Sequence, residues 1–198
     1  GGDLDIQIPY KGNDEIGQLA ETFDLMATSL KRYFDHFHSL AYTDALTGLN
    51  NKAAFAITKD VIESEVKMGR ASFTIVVMDV NNLKTINDSI GHEKGDMLLK
   101  HCAQCMRKIF VGFPLSRIGG DEFCSIINNS IEPDLLIARL QEAAAEMSAQ
   151  DFDTFKVSYQ IAAGSAVYDR GTDTSFHDVF NRADQAMYEN KKKIKGEE

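Results

Sequence analysis

Eight consecutive residues, Phe73-Thr74-Ile75-Val76-Val77-Met78-Asp79-Val80, are nearly all apolar and rich in β-branched side chains. A strand with one wet face alternates, so a continuous run predicts a strand buried on both faces, at the centre of a sheet. The rest of the pattern fills in around it. A helix is expected from about Lys52 to Lys67, a polar loop after the strand, and a helix from His92 to Phe110 that buries Met97, Leu98, Cys102, Cys105, Met106 and Ile109. Two short strands, Leu115 to Ile118 and Phe123 to Ile127, lie close enough in sequence to form a hairpin. Glu132 to Ser148 reads as a helix, Phe155 to Val167 as a strand and Phe176 to Lys193 as a closing helix. From Phe73 to Val167 the order is β-α-β-β-α-β. That is the ferredoxin-like arrangement of an α/β (α+β) palm-type domain, a frequent platform for metal-dependent nucleotide chemistry. Fold alone does not assign a reaction, so the site must carry the argument.

At 198 residues and 43% hydrophobic, the chain can bury one substantial core and leave residues over for an arm. The arm is legible. Ile16, Leu19, Phe23, Met26, Leu30, Tyr33, Phe37 and Leu40 alternate spacings of three and four, a heptad seam on one helix from about Asp14 to Ala41, roughly 40 Å long at the standard rise. A parallel coiled-coil homodimer is expected, with packing against its own globular domain as the alternative. A formal charge of -9 argues against a nucleic-acid binder, so an anionic nucleotide would need metal ions or placed lysines. Three cysteines, Cys102, Cys105 and Cys124, do not make a secreted disulfide scaffold, and Cys102-x-x-Cys105 lacks a second ligand pair for zinc. Buried thiols in a reducing compartment are expected. No run of about 18 apolar residues is present, so the chain as given reads as soluble, and its first residues read as the middle of a connector.

Two acidic points fall where neighbouring strands meet: Asp79 at the end of the central strand, and Asp121-Glu122 in the hairpin. Three carboxylates there repel one another unless cations join them, and hard oxygen ligands favour Mg²⁺, which also binds triphosphates. Gly119 and Gly120 suit a turn with positive φ and a close approach of backbone to a nucleotide. Taken alone, this tetrapeptide also suits an ordinary turn with solvated acids. The polar stretch from Asn81 to Asp96 reads as a short loop and the start of a helix, and the loop's N–H groups could wrap phosphates, with Lys84 as a point charge. Asn87 and Asp96 suit a guanine edge, since an amide meets O6 and a carboxylate accepts from N1–H and the 2-amino group.

Four ordered motifs identify a family. Asp44-x-Leu46-Thr47-Gly48-Leu49-x-Asn51, then Asp79-x-x-x-x-Lys84-x-x-Asn87-Asp88-x-x-Gly91-His92-x-x-Gly95-Asp96, then Arg117-x-Gly119-Gly120-Asp121-Glu122-Phe123, and last Ala183-Asp184-x-Ala186-Met187-Tyr188-x-x-Lys191 resemble the GGDEF domains of diguanylate cyclases. The segment Asp14-Glu15-Ile16-Gly17, with Phe23 and Met26 after it, resembles the second helix of a HAMP signalling module. The resemblances imply a HAMP-derived helix over residues 1–42 and a cyclase domain over 43–198. They imply that two GTP condense to cyclic di-GMP and two pyrophosphates across a homodimer. Asp79, the Val80 carbonyl, Asp121 and Glu122 would hold two Mg²⁺, with Mn²⁺ as a second candidate. Asp121 would help deprotonate the 3′-hydroxyl and Lys84 would steady the phosphates. Asn82, Leu83, Asn87, His92 and Asp96 would bind the substrate, and Lys191 and Lys195 would reach its β- and γ-phosphates.

The departures set expectations too. Lys195 and Ile194 stand where the family often has arginine and glycine, which removes bidentate phosphate binding. Phe110 and Phe113 stand where many members carry the Arg and Asp of an inhibitory product site, so no such site is expected. The rival readings are a nucleotide receptor without catalysis and a signalling adaptor. The implied location is the cytoplasmic end of an inner-membrane sensor, with the membrane reached only through an upstream segment.

Overall fold

The computed structural model describes residues 8–10, 12–127, 132–149 and 160–196. In chain order its elements are α1 (Glu15–Tyr42), α2 (Lys52–Lys67), β1 (Thr74–Val80), α3 (Leu83–Ile90), α4 (His92–Ile109), β2 (Leu115–Arg117), β3 (Glu122–Ile127), α5 (Pro133–Ala149), β4 (Ile161–Val167) and α6 (Phe176–Lys195). Two compact units result, one ending at Thr43 and the other beginning at Asp44.

In the second unit all seven residues of β1 are buried. Val76, Met78 and Val80 join one apolar cluster with Leu98, Cys102 and Met106 of α4 and Leu136 and Leu140 of α5. Ile75 and Val77 join another with Ile62 and Val66 of α2 and Phe176, Val179, Ala183 and Met187 of α6. The sheet order is β2-β3-β1-β4. β1 runs antiparallel to both neighbours, with Asp79 opposite Glu122 on β3 and Ala162 on β4. This is the ferredoxin-like order expected from the sequence. Cys102, Cys105 and Cys124 are free and buried, and burial pushes all three thiols up, away from the reactive thiolate.

One element differs from expectation. The polar stretch after β1 is not an open loop, because Leu83–Ile90 forms a helix. Leu83, Ile86 and Ile90 follow one another at three and four residues, and all three pack on the α4 side of the core. Polar neighbours mask that short stripe in the sequence, and Gly91, at φ 93°, turns the chain directly into α4. Of the strand expected from Phe155, residues 155–159 lie outside the described residues, and Ile161–Val167 is strand.

α1 begins at an N-cap Asp14, whose carboxylate accepts from the Gly17 N–H at 2.9 Å. Its eight seam residues, from Ile16 to Leu40, are all exposed, Tyr33 at 74% and Phe23 at 45% marking the range. No helix among the described residues is long and apolar enough to cross a membrane.

The domain's entry is pinned to β2. Asn50 bridges to Ser116, and Asp44 accepts hydrogen bonds from the Thr47 N–H at 2.9 Å and hydroxyl at 2.6 Å. Arg117 Nη1 lies 3.1 Å from Asp44 Oδ1, and Arg117 Nη2 donates to the Gly120 carbonyl at 2.7 Å. One guanidinium therefore ties the first residue of the domain to the turn between β2 and β3. Burial pushes the Asp44 carboxyl up, but Thr47 and Arg117 outweigh it and hold the group below its ordinary 3.8.

Two outcomes are expected. Asp44→Asn should cost about 1–2 kcal/mol at pH 7 in urea unfolding, the worth of charge-assisted hydrogen bonds on a half-buried group. Because the folded pKa lies below the unfolded one, this difference from wild type is fully present above the unfolded value. It shrinks as pH falls through the folded value. Gly164 on β4 lies so close to α6 that a Cβ would fall on the Met187 nitrogen and the Ala183 carbonyl. Gly164→Ala should lift α6 off the sheet at a cost of about 1–3 kcal/mol, read by the same unfolding measurement.

Candidate active site

The ends of β1 and β3 meet at the edge of the sheet where both strands run out. Asp79, 5% exposed, sits opposite Glu122, and the Val80 N–H donates to the Asp121 carbonyl at 3.0 Å. Asp79, Val80, Asp121 and Glu122 are thus brought together by strand register alone. Burial raises the pKa of Asp79, Lys191 opposes that, and the Asp121 charge adds to it. Burial also raises Glu122, reinforced by the charges of Asp121, Asp79 and Asp184. Asp184, on α6, is a fourth acid in the field that sequence reasoning left without a role.

Among the described residues, no three acidic, histidine or cysteine side chains converge as a closed metal cage. The fit to a cation rests on a different observation. Lys191 Nζ lies 2.7 Å from Asp79 Oδ1, yet that oxygen has no partner in hydrogen-bond geometry and is fully buried. The contact is a short charge pair at the inner end of the site. A buried carboxylate oxygen facing a single flexible ammonium, beside two further carboxylates, suits a hard divalent cation. Lys191 is therefore on Asp79, and the positive charge of Lys195 also acts on Asp79.

The hairpin turn differs from the sequence expectation in one respect. Neither Gly119 nor Gly120 is among the glycines with positive φ. A Cβ at Gly119 would press on the Glu122 side chain as it is placed, whereas nothing lies within 4 Å of a Cβ at Gly120. The turn closes through Ile118 and Gly119 N–H groups, both donating to the Glu122 carbonyl, at 2.9 and 3.3 Å. The open side of Gly120 lets another molecule approach the backbone.

On the other side of β1, Asn82 takes the left-handed conformation, φ 67°, and starts α3 without a side-chain cap. The first N–H groups of α3, in Leu83, Lys84 and Thr85, are those a helix leaves unsatisfied at its start. The expected phosphate loop is thus a helix N-terminus, with exposed Lys84 in its first turn. Asn87 Oδ1 is buried without a partner, against Gly95, where a Cβ would collide with it. His92 and Asp96 are exposed one turn apart on α4, beside Gly95. Asn81, 2% exposed with both amide atoms unpartnered, was not singled out from the sequence. Nothing in an Asn-Asn pair after a strand announces which of the two turns inward.

In place of the family's product-site charges, Phe110 is 2% exposed inside the core and Phe113 packs against it. Ile194, where glycine is common, packs on the second apolar cluster.

Comparison with known proteins closes the identification. The family described as "Diguanylate cyclase, GGDEF domain" matches residues 41–197, and the HAMP domain family matches residues 1–32. Diguanylate cyclase TpbB of Pseudomonas aeruginosa is 30% identical over 98% of this chain and 47% of its own length. Probable diguanylate cyclase DgcJ of Escherichia coli is 27% identical over 75% of this chain and 29% of its own. The chain thus spans less than half the length of either relative. The coiled coil and GGDEF domain of DgcB from Caulobacter crescentus, solved in complex with c-di-GMP, superposes with a TM-score of 0.74 at 26% identity, covering 92% of this chain and 95% of that one. With a match that begins at the end of α1 and takes in every charged group of the site, the chain belongs to the GGDEF family of diguanylate cyclase domains.

Proposed function

We propose that this protein condenses two GTP into cyclic di-GMP, releasing two pyrophosphates, in a Mg²⁺-dependent reaction between two copies of the domain. The observation that carries the reading is Asp79. A carboxylate fixed at the end of a fully buried strand, opposite Glu122 and next to Asp121, has one oxygen with no hydrogen-bond partner. In that reading Asp79, the Val80 carbonyl, Asp121 and Glu122 hold Mg²⁺, or Mn²⁺ in its place. The bound cations would supply charge stabilisation for the attacking oxygen and the departing pyrophosphate.

The chain's own groups account for the remainder. The first N–H groups of α3, from Leu83 onward, cradle phosphate after the left-handed Asn82, and Lys84 adds a point charge in the same turn. Asn87 supplies an amide oxygen and Asp96 a carboxylate to the guanine edge, with His92 at its side. Lys191 and Lys195 reach the β- and γ-phosphates from the end of α6. The Asp121 carboxylate accepts the 3′-hydroxyl proton. The freed oxygen bonds to the α-phosphorus of the GTP on the facing domain, and the bond to pyrophosphate breaks. Repeating the step with the roles exchanged closes the ring.

Each domain holds one GTP, so two must face one another. The exposed seam of α1, from Ile16 to Leu40, favours a homodimer built on that helix, which raises the effective concentration of the second domain. The HAMP match supports a location at the cytoplasmic end of a membrane sensor, whose membrane segment would lie upstream. No role for nucleic acid is proposed, since the net charge is -9.

Incubation with GTP and Mg²⁺, followed by chromatography of the nucleotides, should yield cyclic di-GMP and pyrophosphate. Asp121→Ala should lose at least about a hundredfold in rate, the scale of a general base. GTP binding with no product at high protein concentration would instead assign a nucleotide receptor. Leu30→Asp combined with Phe37→Asp should abolish turnover at low protein concentration while GTP binding stays intact. Unchanged turnover in that double variant would exclude α1 as the dimerising element.

A further inference from the structure

We propose that Lys191 is an internal counter-ion for Asp79 that must leave before a divalent cation can bind there, so that cation and nucleotide enter this site as cooperative ligands. The proposal rests on the reading of Asp79 as a cation ligand given above.

Asp79 cannot move to meet its partners. Its backbone is paired on both sides, opposite Glu122 and Ala162, and its strand is buried throughout. Lys191 has a fixed root and a free end. It stands one turn beyond Met187, which is buried on the sheet where α6 approaches Gly164 too closely for any Cβ. From that root a flexible four-carbon stem carries the ammonium to 2.7 Å from Asp79 Oδ1, with 26% of the side chain exposed. The ammonium thereby offsets the cost of holding a carboxylate at a buried position. A dication at the same oxygen would stand beside a like charge, so the two occupants exclude each other. The contact joins a fixed carboxylate to the end of a flexible stem, so the ammonium can leave by rotation of its own side chain.

The destination of the displaced ammonium decides the consequence. Without a nucleotide the ammonium has water or the nearby Glu122 to turn to, and its positive charge stays beside the incoming cation. With a triphosphate in place, phosphate oxygens take it. A cation alone therefore displaces Lys191 poorly, and a cation with nucleotide displaces it well. Coupling of this kind is reciprocal: whatever factor the nucleotide adds to cation affinity, the cation adds to nucleotide affinity.

Calorimetric titration of Mn²⁺ into the full chain tests this, with and without saturating α,β-methylene GTP, which cannot be cyclised. Without nucleotide, Lys191→Met and Lys191→Gln should each bind Mn²⁺ about tenfold more tightly than wild type, within the usual range of site coupling. The factor by which the analogue improves Mn²⁺ affinity should be smaller in both variants than in wild type, leaving only the part that comes from the phosphates' own ligation of the cation. Cooperative melting confirms that each variant is folded. Equal Mn²⁺ affinity in wild type and both variants, with binding still lost in Asp79→Asn, overturns the counter-ion proposal and leaves the cation site standing. Mn²⁺ binding that is indifferent to Asp79→Asn overturns the cation site, and the proposal with it.

Discussion

Burial of β1 on both faces is the constraint from which the site follows. A strand with apolar side chains alternating into two separate clusters cannot slip by one residue without exchanging every side chain between them. The register to β3 and β4 is therefore fixed, and it places Asp79 opposite Glu122 at the point where the apolar run ends. The same burial makes Asp79 costly. A carboxylate at 5% exposure belongs in such a strand only if something positive meets it. In this structure that partner is Lys191, delivered by a helix that the glycine at position 164 admits unusually close to the sheet.

The local charge balance then shows how an acidic protein of net charge -9 would accommodate the proposed triphosphate. Burial, reinforced by the charges of Asp121, Asp79 and Asp184, raises Glu122, while the charges of Lys191 and Lys195 act on Asp79. Acids and lysines are thus stored together, each moderating the other. A nucleotide with its cations would divide them, cations to the acids and phosphates to the lysines. Replacing the family's arginine by Lys195 fits that economy less well for a planar bidentate contact, although a mobile point charge still reaches a phosphate.

Much of this was legible in the sequence because period and register carry it. The continuous run at Phe73–Val80 fixed the central strand, and hairpin spacing put Asp121 and Glu122 beside Asp79. What escaped depended on short or side-chain-specific packing. The three apolar residues of α3 are too few, among too many polar ones, to outweigh a loop reading, and their helix forms because α4 covers them. Gly119 was expected to take a positive φ and does not, and a Cβ there would instead press on the Glu122 side chain. The inward turn of Asn81 and the attachment of Lys191 to Asp79 have no sequence signature, since both are set by where a neighbouring element ends.

Arg117 bears on how a signal arriving through α1 could reach the chemistry. It holds Asp44 and the Gly120 carbonyl with one planar group, while Asp44 is also held by Thr47 and by its N–H to the Leu49 carbonyl. The boundary between the two units falls at Thr43, immediately before this knot. A displacement passed along α1 therefore meets, at the first residue of the domain, a segment bonded to β2 and to the signature turn at once. Stretching it would break several charge-assisted hydrogen bonds together. On the proposed two-domain reaction this favours control through the encounter of whole domains. The carboxylates would then keep their geometry, and the change would lie in whether a second site arrives opposite them.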